Sequence, residues 1–93
     1  VPYMERDIAL IHSKKYSSLE IMGLIKKTGR PLLEKVELID RYEGSSMPED
    51  VISQAFRIRY RDSKKTLVEE DINPIHEKIR NALKEKIKAE LRS

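Results

Sequence analysis

Three arginines alternate along one short segment of the sequence and could bind an anionic partner. In AFRIRYRD, residues 55 to 62, single aromatic or aliphatic residues separate Arg57, Arg59 and Arg61. A period of two is that of a β-strand, so the three guanidinium groups share one face. A guanidinium group binds carboxylates or phosphates through paired hydrogen bonds. The segment therefore predicts a strand with one buried face and one charged face, which serves either solubility or binding.

Composition limits the kinds of active site that the chain can carry. The 93 residues suffice for one domain with a modest core, and the absence of cysteine excludes disulfides and thiolate metal sites. The two histidines, His12 and His76, lie far apart with no further ligand at metal-binding spacing. We expect no metal site, no catalytic residues, and an ordinary surface or hydrogen-bonded role for both histidines.

The charge balance permits nucleic-acid binding without requiring it. Nineteen basic and sixteen acidic residues give a formal net charge of +3, so the distribution of charge must decide. No apolar run reaches the length of a membrane span, and we expect a soluble, cytoplasmic protein with no membrane partner. Because residues 1 to 93 begin at Val1 in strand-like sequence, we expect a single domain cut from a longer chain.

The first half of the chain predicts a strand, a helix and a second strand. Residues 4 to 11 alternate and then become continuously apolar, as in a central strand. Ser17 stands three residues before Glu20, which is the spacing of a capping box, and apolar residues then recur at helical spacing as far as Gly29. Residues 32 to 42 return to a strand pattern.

The second half predicts a third strand and a second helix. The loop EGSSMPED, residues 43 to 50, is rich in turn formers, so the strands on either side of it should pair as a hairpin. From Glu69 onward the apolar residues step by three or four, as on an amphipathic helix: Ile72, Ile75, Ile79, Leu83 and Ile87. The last residues, AELRS, are either a frayed helix end or a final edge strand.

Pro74 lies six residues into this helical pattern, where its ring and missing amide would break an established helix. We therefore expect Asn73 to cap the helix, Pro74 to be its first residue, and residues 69 to 72 to form a separate turn. A continuous helix that is kinked at Pro74 is the alternative.

This element order predicts an α+β, ferredoxin-like βαββαβ sandwich. Right-handed crossovers place both helices on one face of an antiparallel sheet, and the other face stays open. Parity along the third strand then directs Phe56, Ile58 and Tyr60 under the helices and the arginines to the open face.

Three segments of the sequence resemble one family in order and spacing: PYMERDIA (residues 2 to 9), LIDRYEG (residues 38 to 44) and SQAFRIRYRDSKKTL (residues 53 to 67). The chain is similar over nearly its whole length to the ferredoxin-fold anticodon-binding domain, which ends the beta subunit of bacterial phenylalanyl-tRNA synthetase.

The resemblance implies a non-catalytic module that docks on the anticodon stem-loop of phenylalanine tRNA. It implies no cofactor in this domain, although the parent enzyme uses ATP and Mg²⁺. It also implies a catalytic alpha subunit as partner, in an (αβ)₂ assembly. The expected absence of catalytic residues agrees with this role, since the sequence has no glycine-rich phosphate loop and no nucleophile with a base.

Tyr42 is the residue for which parity and resemblance disagree. By simple alternation it shares the core side with Val36, Leu38 and Asp40. The resemblance instead makes it the aromatic of a D-x-Y-x-G motif, whose ring stacks on an unstacked anticodon base. Tyr42 can meet RNA only if the strand twists, bulges or extends beyond the helices near Gly44.

The resemblance also gives the open face of the third strand a partner. It implies that Arg57, Arg59 and Arg61 lie along the RNA backbone and that Ser53 and Ala55 let a base or ribose approach closely. Without the resemblance, the arginines are equally well explained as a solvated face, and the two small residues as the start of a strand.

We assign structural roles to two carboxylates, Asp7 and Asp40, and to the residues that begin the second helix. We expect Asp7 to face the open side and bond an arginine of a neighbouring strand, and Asp40 to satisfy backbone amides near a turn. Val68 replaces the hydroxyl residue that usually caps the second helix in the family, which leaves Thr66 and Glu69 as a substitute pair.

Two other functions remain open. A regulatory amino-acid-binding domain of the ACT type has the same element order, but its ligand usually lies beside a glycine-containing turn after the first strand, and HSKKYSS has no glycine. The domain could alternatively be a surface for subunit interaction.

Overall fold

A computed structural model describes residues 2–44 and 46–92. Its elements follow the order βαββαβ: β1 (Met4–Ser13), α1 (Ser18–Gly29), β2 (Leu33–Tyr42), β3 (Val51–Tyr60), α2 (Glu69–Ile87) and β4 (Glu90–Leu91). The strands form one antiparallel sheet in the order β2-β3-β1-β4. The expected ferredoxin-like α+β fold is confirmed.

The core lies between the sheet and the two helices. Along β3, buried and half-buried residues alternate strictly, and Phe56, Ile58 and Tyr60 are completely buried. From β1, Ile8 and Leu10 meet them across the sheet. The helices contribute the aliphatic side chains Ile21, Ile25, Ile72, Ile79, Leu83 and Ile87. The parity prediction for β3 is therefore correct, and its odd-numbered residues lie on the uncovered face.

The start of α1 follows the sequence signal. Ser17 Oγ accepts from the amide of Glu20 at 3.0 Å, and Glu20 Oε1 accepts from the amide of Ser17 at 3.0 Å. This reciprocal capping box satisfies two amides that the first turn would otherwise leave without partners.

The predicted start of α2 at Asn73 and Pro74 is wrong. The helix runs without interruption from Glu69 to Ile87 and contains Pro74. The Asn73 side chain accepts from Arg6 Nη2 at 2.7 Å and does not cap the helix. Ile72 is completely buried, so the residues before Pro74 contribute to the core as part of the helix. Pro74 has no amide N–H to donate to the carbonyl of Glu70, four residues earlier. Glu70 is an exposed residue near the helix start.

The expected cap from Thr66 and Glu69 is also wrong. Asp71 accepts from the amide of Val68 at 2.9 Å, and Lys65 Nζ lies 3.2 Å from the same carboxylate. Valine has no polar side-chain atom that could reciprocate, so only half of a capping box forms. These bonds hold the pKa of Asp71 below its ordinary value, with the Val68 amide as the largest cause.

The end of the chain forms the fourth strand. Lys88 adopts a left-handed conformation with φ 56°, and the amide of Ala89 donates back to the carbonyl of Leu83 at 3.2 Å. This turn ends α2 and brings residues 90 and 91 beside β1, where the amide of Arg92 donates to the carbonyl of Ala9 at 2.7 Å. Within the part of the chain that the structure describes, neither helix is apolar over a length that could cross a membrane.

Candidate nucleic-acid interface

The uncovered face of the sheet carries the arginines of β3 between two strands that supply carboxylates. Arg57 lies opposite Asp7 of β1 and Glu37 of β2. Arg59 lies opposite Glu5 of β1 and Lys35 of β2. Residues that face each other across an antiparallel pair point to the same side. The arginines are therefore on the open face, as expected, but each has acidic neighbours.

Arg57 and Asp7 form a two-point ion pair. Arg57 Nε donates to Asp7 Oδ1 at 2.9 Å, and Arg57 Nη2 donates to Asp7 Oδ2 at 3.1 Å. The hydrogen bonds from Arg57 are the largest cause that holds the pKa of Asp7 below its ordinary value. The contact expected for Asp7 is present, and it fixes the plane of the Arg57 guanidinium group.

Arg59 and Arg61 are held by carboxylates and by an aromatic ring. Arg59 Nη2 donates to Glu5 Oε2 at 3.3 Å, and Arg61 Nε lies 3.2 Å from Glu34 Oε2. The Tyr3 ring covers both guanidinium groups, with its centroid 4.0 Å from Cζ of Arg59 and 5.3 Å from Cζ of Arg61. Such a cation–π contact restricts both side chains.

Charge on this half of the face is balanced among its own residues. We use the term arginine half for four basic and four acidic side chains: Lys35, Arg57, Arg59, Arg61, Glu5, Asp7, Glu34 and Glu37. The sequence pattern of β3 indicated a basic strand and missed this balance, because the carboxylates come from β1 and β2. The arginine half therefore offers oriented hydrogen-bond donors without a large excess of positive charge.

A β-bulge in β2 moves Tyr42 to the open face. Leu38 pairs with Phe56, whose side chain points into the core, whereas Asp40 pairs with Ala55 on the open face. The extra residue, Ile39, shifts the alternation by one position. Tyr42 consequently pairs with Ser53. The simple parity that assigned Asp40 and Tyr42 to the core side is wrong, and the bulge is the reason.

Tyr42 stands beside a surface of small side chains. Its side chain is half-exposed, at 50%. Ser53 lies opposite it, and Ala55 lies between Asp40 of β2 and Ala9 of β1. We call Tyr42, Ser53, Ala55 and Ala9 the aromatic half of the face. An exposed ring beside a low, half-buried surface leaves space for a planar group.

Asp40 serves the backbone, as expected. Its Oδ1 accepts from the amide of Arg41 at 3.0 Å. The carboxylate thus supports the strand at the bulge.

A buried polar chain supports the aromatic half from below. Gln54, between Ser53 and Ala55, points to the helix side and is 3% exposed. Its Oε1 accepts from Ser18 Oγ at 2.6 Å, and its Nε2 lies 2.7 Å from His12 Nε2. His12 Nδ1 lies 2.8 Å from the carbonyl of Ser13.

One protonation state of His12 satisfies every hydrogen bond in this series from Ser18 to Ser13. His12 Nδ1 donates to the Ser13 carbonyl, and His12 Nε2 accepts from the Gln54 amide. Burial lowers the pKa of His12, which favours the neutral imidazole over the charged form. The sequence predicted an ordinary surface or hydrogen-bonded histidine at position 12; the structure shows the buried, hydrogen-bonded case, and the sequence gave no sign of Gln54 or Ser18 in its network.

Comparison with known families decides the assignment. The Ferredoxin-fold anticodon binding domain family matches residues 1–92. The chain belongs to this family. The resemblance drawn from the three sequence segments is therefore confirmed, and the exposed aromatic of the D-x-Y-x-G segment lies in an anticodon-binding domain.

Relatives of this anticodon-binding domain are beta subunits of a ligase. The phenylalanine–tRNA ligase beta subunit of Prochlorococcus marinus strain NATL2A is 97% identical over 93 residues, which cover 100% of this chain and 11% of the relative. That of Prochlorococcus marinus strain MIT 9313 is 54% identical, with the same coverage. That of Synechococcus sp. strain CC9605 is 46% identical over the whole chain and is covered to 12%. The chain thus spans about a ninth of the length of these relatives.

The anticodon-binding domain brings together most of the predicted site residues. Tyr42, Ser53 and Ala55 are neighbours in the aromatic half, and Arg57 and Arg59 continue the same face. Arg61 lies just past the end of β3, beside Glu34. Among residues 2–44 and 46–92, no group of three or more histidine, cysteine or acidic side chains could hold a metal ion.

Proposed function

We propose that this anticodon-binding domain is the non-catalytic tRNA-binding module of a phenylalanine–tRNA ligase beta subunit. It docks on the anticodon stem-loop of phenylalanine tRNA through the open face of its sheet. The observation that carries the proposal is the bulge at Ile39, because it brings Tyr42 beside Ser53 and Ala55 on the face that no helix covers.

The aromatic half receives an unpaired base of the anticodon loop. Proteins read RNA loops by stacking splayed bases on aromatic rings, and each stack is worth about 1 to 3 kcal/mol. Tyr42 supplies the ring, Ala55 admits close approach of a base or ribose, and the Ser53 hydroxyl can donate to or accept from it. Tyr42, Ser53 and Ala55 are therefore the residues nearest the base.

The arginine half contacts the backbone of the same loop. Arginine has five N–H donors, and the bonds to Asp7 use one on Nε and one on Nη2, so three remain for a phosphate. Asp7 thus holds Arg57 in an orientation ready to bind. Arg59 and Arg61 continue the line of donors toward the end of β3.

The remaining features of the proposal belong to the parent enzyme. We infer a cytoplasmic enzyme in which this domain is the C-terminal part of the beta subunit. An alpha subunit joins phenylalanine to tRNA with ATP and Mg²⁺ in an (αβ)₂ assembly. The domain itself uses no cofactor and contributes affinity and orientation for tRNA.

Binding of the chain to a labelled anticodon stem-loop tests the proposal. We expect saturable, salt-sensitive binding in a fluorescence anisotropy titration at low salt. Loss of one base stack in Tyr42→Ala should weaken binding about fivefold to a hundredfold. Lys26→Gln is the matched control, because Lys26 is exposed on α1, in the layer opposite the open face. A stem-loop that does not bind, or Tyr42→Ala with unchanged affinity, contradicts the proposal.

The salt dependence of affinity tests the role of Arg57. A phosphate contact releases counterions, so its loss lowers the slope of log affinity against log salt by about 0.7 to 0.9. We expect this decrease for Arg57→Gln and none for Lys26→Gln. An unchanged slope in Arg57→Gln would contradict a phosphate contact by Arg57.

A further inference from the structure

Gly44 makes an unusual contact with Tyr42, two residues before it in the chain. A Cβ atom at position 44 would overlap the hydroxyl oxygen, Cζ and Cε2 of the Tyr42 ring. The end of the phenol therefore occupies the space that a side chain would fill at this position. Any residue other than glycine must displace the ring.

The backbone does not explain why a glycine is present here. None of the three glycines has a positive φ, so the conformation at position 44 is open to other residues. The other two glycines differ in their surroundings. A Cβ at Gly23 would meet nothing within 4 Å, and one at Gly29 would meet the Leu33 side chain. At Gly44 alone is the obstacle a residue of the proposed RNA site.

The direction of the ring matters for the neighbouring surface. Gly44 follows Tyr42 toward the β2–β3 loop, whereas Ala55 pairs with Asp40, on the opposite side of Tyr42 along the strand. A ring whose hydroxyl end lies over Gly44 thus points away from the surface at Ala55 and leaves it uncovered. A ring that is displaced from Gly44 can instead turn over this surface or out into solvent.

The residue between them, Glu43, forms two exposed ion pairs through its side chain. Glu43 Oε1 lies 2.8 Å from Lys14 Nζ, and Glu43 Oε2 lies 3.1 Å from Arg41 Nη1. The Lys14 pair connects the end of β2 to the residue after β1, and the Arg41 pair is local to the end of β2.

We propose that Gly44 is a positioning residue for the base-stacking ring. Because Gly44 has no side chain, the Tyr42 phenol can lie toward the loop. The aromatic half then stays open for a base. The RNA part of this inference rests on the proposed function, but the ring position does not.

NMR of the unmodified chain tests the ring position without RNA. We expect nuclear Overhauser effects between the Tyr42 ring protons and the Hα protons of Gly44. In Gly44→Ala, the Tyr42 ring resonances should shift, whereas Gly23→Ala should leave them unchanged. Absence of the Tyr42–Gly44 effects in the unmodified chain overturns the inference.

A double-mutant cycle with the anticodon stem-loop tests the consequence. Loss of a pre-organised side chain should weaken binding roughly two- to tenfold in Gly44→Ala. Tyr42→Ala/Gly44→Ala should bind like Tyr42→Ala, because Gly44 acts only through the ring. Gly23→Ala is the control and should bind like the unmodified chain.

Three results of the cycle count against the inference. Unchanged binding by Gly44→Ala, when Tyr42→Ala is weakened, overturns the positioning role. A double variant whose loss of affinity equals the product of the two single-variant losses overturns it too, because Gly44 would then act independently of Tyr42. Unchanged binding by Tyr42→Ala overturns the proposed function and the RNA part of the inference together, while the ring contact is decided by NMR alone.

Discussion

At the scale of single residues, the open face consists of side chains held by their neighbours. Asp7 fixes the Arg57 guanidinium group through two bonds, Tyr3 covers Arg59, and Gly44 receives the Tyr42 phenol. Each of these contacts restricts a group that we propose meets RNA. Because such ordering precedes binding, less entropy is lost when the ligand arrives.

The Asp7–Arg57 pair should contribute to stability in a pH-dependent way. The pKa of Asp7 is lowered in the folded state, so its contribution is present above the unfolded pKa of about 4 and is lost as pH falls through the folded pKa. We expect Asp7→Asn to be slightly less stable than the unmodified chain at pH 7, since exposed ion pairs contribute little.

The difference in urea midpoint between Asp7→Asn and the unmodified chain should stay constant from about pH 7 to about pH 5 and shrink as the pH falls below about 4. Glu85→Gln, an exposed carboxylate on α2, is the control for removing one charge. A difference that grows on acidification would refute the assigned role of Asp7.

At the scale of elements, local signals predicted some boundaries and long-range contacts determined others. The capping box at Ser17 and Glu20 and the alternation of β3 act within a few residues, so sequence was sufficient. The start of α2 depends on burying Ile72 in the core, which outweighs the local preference for Pro74 at a first helical position. The bulge at Ile39 depends on pairing with β3, and no glycine marks it.

The end of α2 contains backbone strain that a substitution can relieve. Lys88 is the only non-glycine residue with positive φ among residues 2–44 and 46–92. Such a conformation is unfavourable for a residue with a Cβ. We expect Lys88→Gly to raise the free energy of unfolding by about 1 kcal/mol in urea denaturation.

Lys84→Gly is the matched control, because Lys84 is an exposed position within the last turns of the same helix. There glycine should lower the stability by about 1 kcal/mol. Lys88→Gly that destabilises as much as Lys84→Gly would contradict the left-handed turn.

At the scale of the whole molecule, the two faces of the sheet differ in role. The helical layer and the inner sheet face form the core, which hydrophobic periodicity predicted well. The open face, which we propose as the binding surface, combines β1, β2 and β3. Its charge balance could not be predicted from β3 alone, since Asp7 and Glu5 are far from Arg57 and Arg59 along the chain and meet them only through strand pairing.

Two buried histidines make the stability of the whole fold depend on pH. Burial lowers the pKa of both His12 and His76, and the Tyr60 hydroxyl lies 3.1 Å from His76 Nδ1. In the unfolded chain the two histidines take up protons below about pH 6.5, whereas in the folded chain they do so only at lower pH. Stability should therefore fall as pH decreases from about 7 to about 5.

Urea unfolding measured across this pH range checks the expectation. Each histidine can contribute at most about 1.4 kcal/mol per pH unit to the slope of the free energy of unfolding against pH. In His76→Leu the slope should be smaller, whatever the variant's absolute stability. A slope that is equal in both proteins would exclude His76 as a contributor.

The most direct test of the proposed RNA interface is an NMR titration of the isotopically labelled chain with the anticodon stem-loop. We predict that backbone amide shifts concentrate around Tyr42, Ser53 and Ala55 and extend along the face toward Arg57. The outer surfaces of α1 and α2 should remain unchanged. Perturbations confined to the helices, with the aromatic half unaffected, would contradict the account.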